Sequence, residues 1–203
     1  MTNHLFRAKG HGGRITHLLV GYDVLTSSCD PLDVATMMRP VCRYAAATLR
    51  QLHETGGVTL AVVADTMPDR DIRPALDVRG IGALFGDRIY QTSSRKRRHP
   101  DPQLFPMLYR DILADLQVRP EHLVMCGSDI EHSILPAARG RIRTVYVGWQ
   151  SLPEEPQVIV TRIPHFEKLP ALLTGEHTGA DAPELATRGT RELGAARAEG
   201  CDA

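Results

Sequence analysis

Glu121 to Trp149, EHLVMCGSDIEHSILPAARGRIRTVYVGW, decides the fold. His122–Cys126 is an apolar run without polar alternation, the pattern of a strand buried on both faces. Gly127 then offers a turn, Ser128 and Asp129 are polar, and Ile130–Ala138 has helical spacing. A glycine-flanked break leads to a second buried run, Arg143–Val147. Strand, helix and strand in so few residues predict a parallel pair joined by a crossover helix.

The same alternation extends in both directions. Ile15–Tyr22 reads as a buried strand ending at Asp23, with Thr26, Ser27 and Ser28 in the turn. Asp30-Pro31 has the chemistry of a helix start, the pattern breaks near Arg39-Pro40, and Val41, Tyr44, Ala45, Leu49 and Leu52 resume it until Gly56-Gly57. Val58–Val63 is a second buried strand, closed by Ala64-Asp65-Thr66. A short helix over Asp71–Val78 and a strand at Arg88–Tyr90 precede the loop SSRKRRHPDP. Leu104, Phe105, Leu108, Tyr109, Ile112, Leu113 and Leu116 then recur at helical spacing, with Pro106 expected to distort the first turn. A last strand, Val158–Thr161, and a helix, Phe166–Leu173, complete the pattern. The expected organisation is a polar leader over 1–14, one α/β domain over 15–174, and a disordered tail over 175–203 rich in Gly, Ala, Thr, Glu and Arg. Its architecture is a Rossmann-like three-layer sandwich with a mainly parallel sheet, whose ligands belong at the carboxyl ends of the strands.

Composition excludes several classes. Lys plus Arg and Asp plus Glu both number 24, so the formal charge is zero and gives no global case for nucleic acid. No segment has the roughly 18 uncharged apolar residues a spanning helix needs, and no secretory h-region is evident, so the expected location is the cytoplasm. Cys29, Cys42, Cys126 and Cys201 form no CxxC and read as reduced thiols. Only three residues are lysine, Lys9, Lys96 and Lys168, which singles out Lys96 beside the strand ends. The RKRR run around it reads as a solvated loop on an otherwise neutral chain.

Four strand-end segments, GYDVLTSS, VVADTM, RHPDPQLF and GSDIEHSILPA, together resemble the haloacid-dehalogenase-like hydrolases over residues 15–173. The likeness implies the fold, a carboxylate nucleophile with an aspartate acid/base after β-strand one, a phosphate-binding Ser or Thr, a lysine, and two aspartates holding Mg²⁺. This chain departs from that pattern at each end. One register puts Gly21 at the nucleophile and Asp23 at the acid/base; sliding by two puts Asp23 at the nucleophile. The first register is preferred because the strand then starts at a natural place, and Asp23 also reads as a plain turn residue. Ala64 stands at the phosphate-binding hydroxyl, leaving Asp65 and Thr66 to line the pocket. His99 stands at the lysine, with Lys96 three residues upstream. Ser128 and Ser133 stand at the metal aspartates, with Asp129 and Glu131 near. Neutral hydroxyls bind Mg²⁺ poorly, and His132 with Cys126 lacks the partners of a soft-metal site.

About forty residues separate Asp23 from Asp65 and about thirty-five separate Asp65 from His99, leaving no room for the cap domain of many relatives. The leading expectation is a capless, catalytically degenerate member serving binding, assembly or regulation, with a protein partner or a second copy, and without membrane or nucleic acid. No cofactor is expected, and Mg²⁺ only with residual hydrolase activity. Two alternatives stay open: an enzyme of another reaction using Asp23, Asp65, His99 and Asp129, with His99 and a carboxylate as acid and base, or a weak Mg²⁺-dependent phosphohydrolase.

Overall fold

The computed structural model describes residues 14–26, 39–66, 70–92, 104–153, 155 and 158–174. The helix start at Asp30-Pro31, the residues Lys96 and His99, the tail from 175 and nearly all of the leader lie outside these. Among the described residues six strands form one sheet: β1 His17–Gly21, β2 Thr59–Asp65, β3 Ile89–Thr92, β4 Leu123–Gly127, β5 Arg143–Val147 and β6 Val160–Ile163. The order is β3-β2-β1-β4-β5-β6, and all five pairings are parallel. The helices are α1 Tyr22–Leu25, α2 Arg43–Gly56, α3 Arg73–Val78, α4 Gly82–Phe85, α5 Leu104–Asp115, α6 Leu135–Arg139 and α7 Leu169–Thr174.

Strand alternation divides the core into two layers. Leu18, Val20, Leu60, Val62, Val124 and Cys126 pack with α2, α3 and α7 residues such as Ala45, Leu49, Leu76 and Leu173. Leu19, Ala61, Val63, Leu123 and Met125 face Phe105, Tyr109 and Ile112 of α5 and Ala137 of α6. Both faces of β1, β2 and β4 are therefore covered, which is why those strands are apolar throughout. Gly57, at φ 56°, ends α2 in the left-handed conformation that glycine adopts without strain.

Several boundaries differ from the expectation. β1 ends at Gly21, because Tyr22 already begins a single helical turn. The last strand runs Val160–Ile163, two residues beyond the expected Val158–Thr161. Pro106 falls in the first turn of α5, where a missing N–H forfeits no intrahelical bond. The helix expected over Ile130–Ala138 opens as a π-helical turn, Ile130–Ile134, before α6. Such turns insert one extra residue per turn and re-aim side chains at their ends.

Strand order reverses between β1 and β4, because the chain runs from β1 to β2 and β3 on one side and then crosses back to β4 on the other. The crevice outside the carboxyl ends of two such strands is where this architecture places ligands.

Candidate functional site

At that crevice the chain folds a carboxylate onto itself. Asp23 sits on α1, just beyond β1, and its Oδ2 accepts the Ser128 N–H at 2.7 Å, the Asp129 N–H at 3.1 Å and the Ser128 hydroxyl. These donors lie in the turn after β4, so two segments 105 positions apart meet through one oxygen. The other oxygen lies over Gly21. A Cβ built there would stand 2.1 Å from Asp23 Oδ1 and 3.2 Å from its Cγ. Gly21 has φ −66° and ψ 133°, ordinary extended backbone, so its glycine is required by space and not by conformation. The two registers of the first motif thus converge: residue 21 supplies the room, and residue 23 fills it.

Asp129 and His132 form the next pair. Asp129 caps the π-helical turn by accepting the His132 N–H at 2.9 Å, and His132 Nδ1 lies 3.0 Å from Asp129 Oδ2. A carboxylate only accepts, so the proton of that contact sits on Nδ1, which in a neutral imidazole makes Nε2 the acceptor. The Phe105 ring packs against the imidazole at a centroid distance of 5.2 Å. Sequence reading weighed His132 only for metal; its spacing of three from Asp129 at a helix start was the available signal.

Ser133, one turn further, carries a carbonyl that accepts the Tyr109 hydroxyl at 3.0 Å, and its own hydroxyl makes no hydrogen bond to Asp23 or Asp129. Burial, then the charges of Asp23 and Asp129, push the Tyr109 phenol well above its usual range. Burial and the Asp23 charge likewise raise the Cys126 thiol.

At the end of β2, Asp65 is half-buried in register with Thr92. The Thr66 hydroxyl is spent on its own loop, accepting from Gln91 Nε2 at 3.3 Å and donating to the Arg70 carbonyl at 3.5 Å. Gln91 Oε1 in turn accepts the Ile72 N–H at 3.4 Å. Thr66 therefore fastens a turn and does not point its hydroxyl at Asp23. Of the expected site residues, the structure brings together Gly21, Asp23, Ser128 and Asp129 and sets Ser133 beside them; Lys96 and His99 fall outside the described residues.

A Mg²⁺ ion would require several hard oxygens in octahedral array. Asp23 Oδ2 is taken up by three donors, the Ser128 hydroxyl donates, and Asp129 is committed to His132. Among the described residues no three His, Cys, Asp or Glu side chains are grouped to hold a metal. The loop shift that would offer Asp129 to a cation is not taken, and the residues present do not fit the ion.

No family model matches the chain, and no curated protein does. Solved structures do. An uncharacterized protein from Listeria monocytogenes serotype 4b is 22% identical, covers 80% of this chain and 100% of its own length, and has a TM-score of 0.63. The cobalt-bound deoxy-D-mannose-octulosonate 8-phosphate phosphatase of Haemophilus influenzae is 14% identical, with 79% and 90% covered and a TM-score of 0.55. A haloacid dehalogenase-like family hydrolase from Xanthomonas campestris is 15% identical with a TM-score of 0.50; the match covers 67% of this chain and 56% of that hydrolase. Among the described residues no helix is long and apolar enough to cross a membrane. With its parallel six-stranded sheet and its crevice between β1 and β4, the chain has the haloacid-dehalogenase-like fold.

Proposed function

We propose that this chain keeps the haloacid-dehalogenase-like fold without its phosphohydrolase chemistry and acts as a binding, assembly or regulatory protein. One observation carries the reading: the Asp23 carboxylate occupies the space that a side chain at position 21 would need, held there by Ser128 and Asp129. Phosphoryl transfer depends on positioning and on neutralising charge. Here the first carboxylate is turned onto backbone donors, and neutral serines stand where the resemblance implies metal aspartates. The short intervals between strand-end motifs fit a domain without a cap, hence an open crevice suited to a macromolecular partner. The buried free thiol at Cys126 suits a reducing compartment such as the cytoplasm.

The test is turnover of a generic aryl phosphate with Mg²⁺ in excess. The expected rate equals the buffer blank. Mg²⁺-dependent turnover that disappears in Asp23→Asn would overturn the proposal and restore a hydrolase.

A second reading is favoured by the Asp129–His132 pair, whose geometry is that of an oriented general base. It moves the acid–base role from His99 to His132. Hydrolysis of an activated aryl ester that is lost in His132→Gln and kept in Asp23→Asn would select it.

A further inference from the structure

We propose that two copies of this chain associate about a two-fold axis at the β6 edge of the sheet, the Trp149 indole of each copy covering Ile159 of the other. The inference does not depend on the reading of the crevice.

Among the described residues β6 is the last strand of the sheet. Large exposed apolar side chains are few among the described residues, and two of them flank this edge: Trp149 at 71% exposure and Ile159 at 66%. They stand at opposite ends of it. Ile159 immediately precedes β6, and its carbonyl accepts the Thr144 hydroxyl at 3.2 Å. Trp149 follows β5; the register Val147↔Ile163 carries it to the level of His165, whose ring it meets edge-on at 6.0 Å. Residues 159 and 165 are symmetric about Arg162, and the span between them is below about 20 Å, the fully extended length at roughly 3.3 Å per residue. A two-fold axis through the middle of β6 therefore exchanges the two ends, laying Ile159 against the partner's indole on both sides of the axis. Self-complementarity of this kind is what an isologous contact between copies requires.

The indole is offered on a fastened turn. The Gly148 N–H donates to the Ile163 carbonyl at 3.1 Å, and the Gln150 N–H donates to the Tyr146 hydroxyl at 3.2 Å. Arg162 Nε donates to the Gly148 carbonyl at 3.0 Å, and its guanidinium also donates to the Trp149 carbonyl. Gly148 has φ 153°, and a Cβ there would lie 2.5 Å from the Tyr146 hydroxyl. A turn already ordered loses little entropy when its aromatic side chain is covered. The same bonds draw the Arg162 guanidinium over its own turn, so the two arginines nearest the axis do not meet head-on. With formal charge zero, no net repulsion opposes a second copy.

The apolar area is modest, since an aromatic side chain buries about 150–250 Å² and stable interfaces bury more than about 1,200 Å². The dimer is accordingly weak and concentration-dependent.

Trp149 is the only tryptophan, so it reports on the contact directly. Sedimentation velocity across about three decades of concentration, with Trp emission followed in parallel, tests the proposal. The expected result is a mass rising from 22.4 kDa toward twice that value, with a blue shift of emission. Ile159→Asp abolishes both the mass increase and the blue shift, and Trp149→Phe weakens association about tenfold; both sites are exposed, and the urea midpoint confirms folding. The shift lost in Ile159→Asp is decisive, because within one chain that residue stands at the opposite end of the edge from the indole. A monomer at every concentration, or a dimer untouched by either substitution, overturns the proposal.

Discussion

Replacing Gly21 by alanine should destabilise the protein only while Asp23 is present. At φ −66° and ψ 133° alanine fits the backbone, and the smaller unfolded-state entropy alone would add about 0.4–1 kcal/mol of stability. In the native fold, however, the new methyl group would stand 2.1 Å from Asp23 Oδ1, so the carboxylate must swing away. That releases the Ser128 N–H, the Asp129 N–H and the Ser128 hydroxyl. Hydrogen bonds to a charged group contribute about 1.5–3 kcal/mol each. Asp23 is half-buried, so water restores much of that, and a net loss of about 2–3 kcal/mol is expected. In an Asp23→Ala background the obstacle is gone, and Gly21→Ala should be neutral or slightly stabilising. Urea unfolding of the four proteins gives the coupling energy, provided the slopes match. The expected coupling is about 2–4 kcal/mol; additivity within about 0.5 kcal/mol would refute the idea that residues 21 and 23 share one space.

Three further outcomes follow from single contacts. Asp129→Ala removes the cap of the π-helical turn and should cost about 1 kcal/mol by the same urea measurement, whereas Asp129→Asn keeps most of it. His17 is held below its usual value of 6.5 by burial, then by Arg88 and His122, so its neutral form favours the fold. That stability is present above pH 6.5 and is lost as pH falls toward the folded value; in His17→Gln the melting temperature should drop less between neutral and mildly acidic buffer. Burial and the Asp23 charge raise the Cys126 thiol, so disulfide reagents should leave it unlabelled in the native protein and react only in step with unfolding.

Much of the fold was legible because burial leaves a plain trace. Arg143–Val147 appeared as five residues of strand in both sequence and structure, since its Val145, Tyr146 and Val147 are apolar without alternation, as a strand covered on both faces requires. α4 left no such trace, having four residues and no side-chain cap. The offset of β6 arises because Val158 and Ile159 are as apolar as the strand that follows, although Ile159 is exposed. The crevice was half legible. Gly21, Asp23, Ser128 and Asp129 were each singled out by their place at a strand end, but their mutual contact spans 105 positions and obeys no periodicity. The bonding of Thr66 was not legible for a related reason: its hydroxyl accepts from Gln91, a residue on the neighbouring strand that nothing local connects to it.

The departures at the crevice are physically interdependent. An aspartate at position 128 would place a carboxylate where the Ser128 hydroxyl now donates to Asp23 Oδ2. Two like charges about 4 Å apart repel by about 1 kcal/mol in water and about 4 kcal/mol at an effective dielectric constant of about 20. Serine removes that repulsion and adds a donor to the inward-lying Asp23 carboxylate. Ser128→Asp should therefore lose about 1–4 kcal/mol at neutral pH and low salt. One member of the new pair would titrate upward, so the deficit relative to the parent should shrink as pH falls through the carboxylate range. Mg²⁺ at millimolar concentration should raise the melting temperature of Ser128→Asp and leave the parent unchanged. Equal responses of the two proteins to Mg²⁺, or a Ser128→Asp variant as stable as the parent at neutral pH, would show that Ser128 is not what holds Asp23 in place.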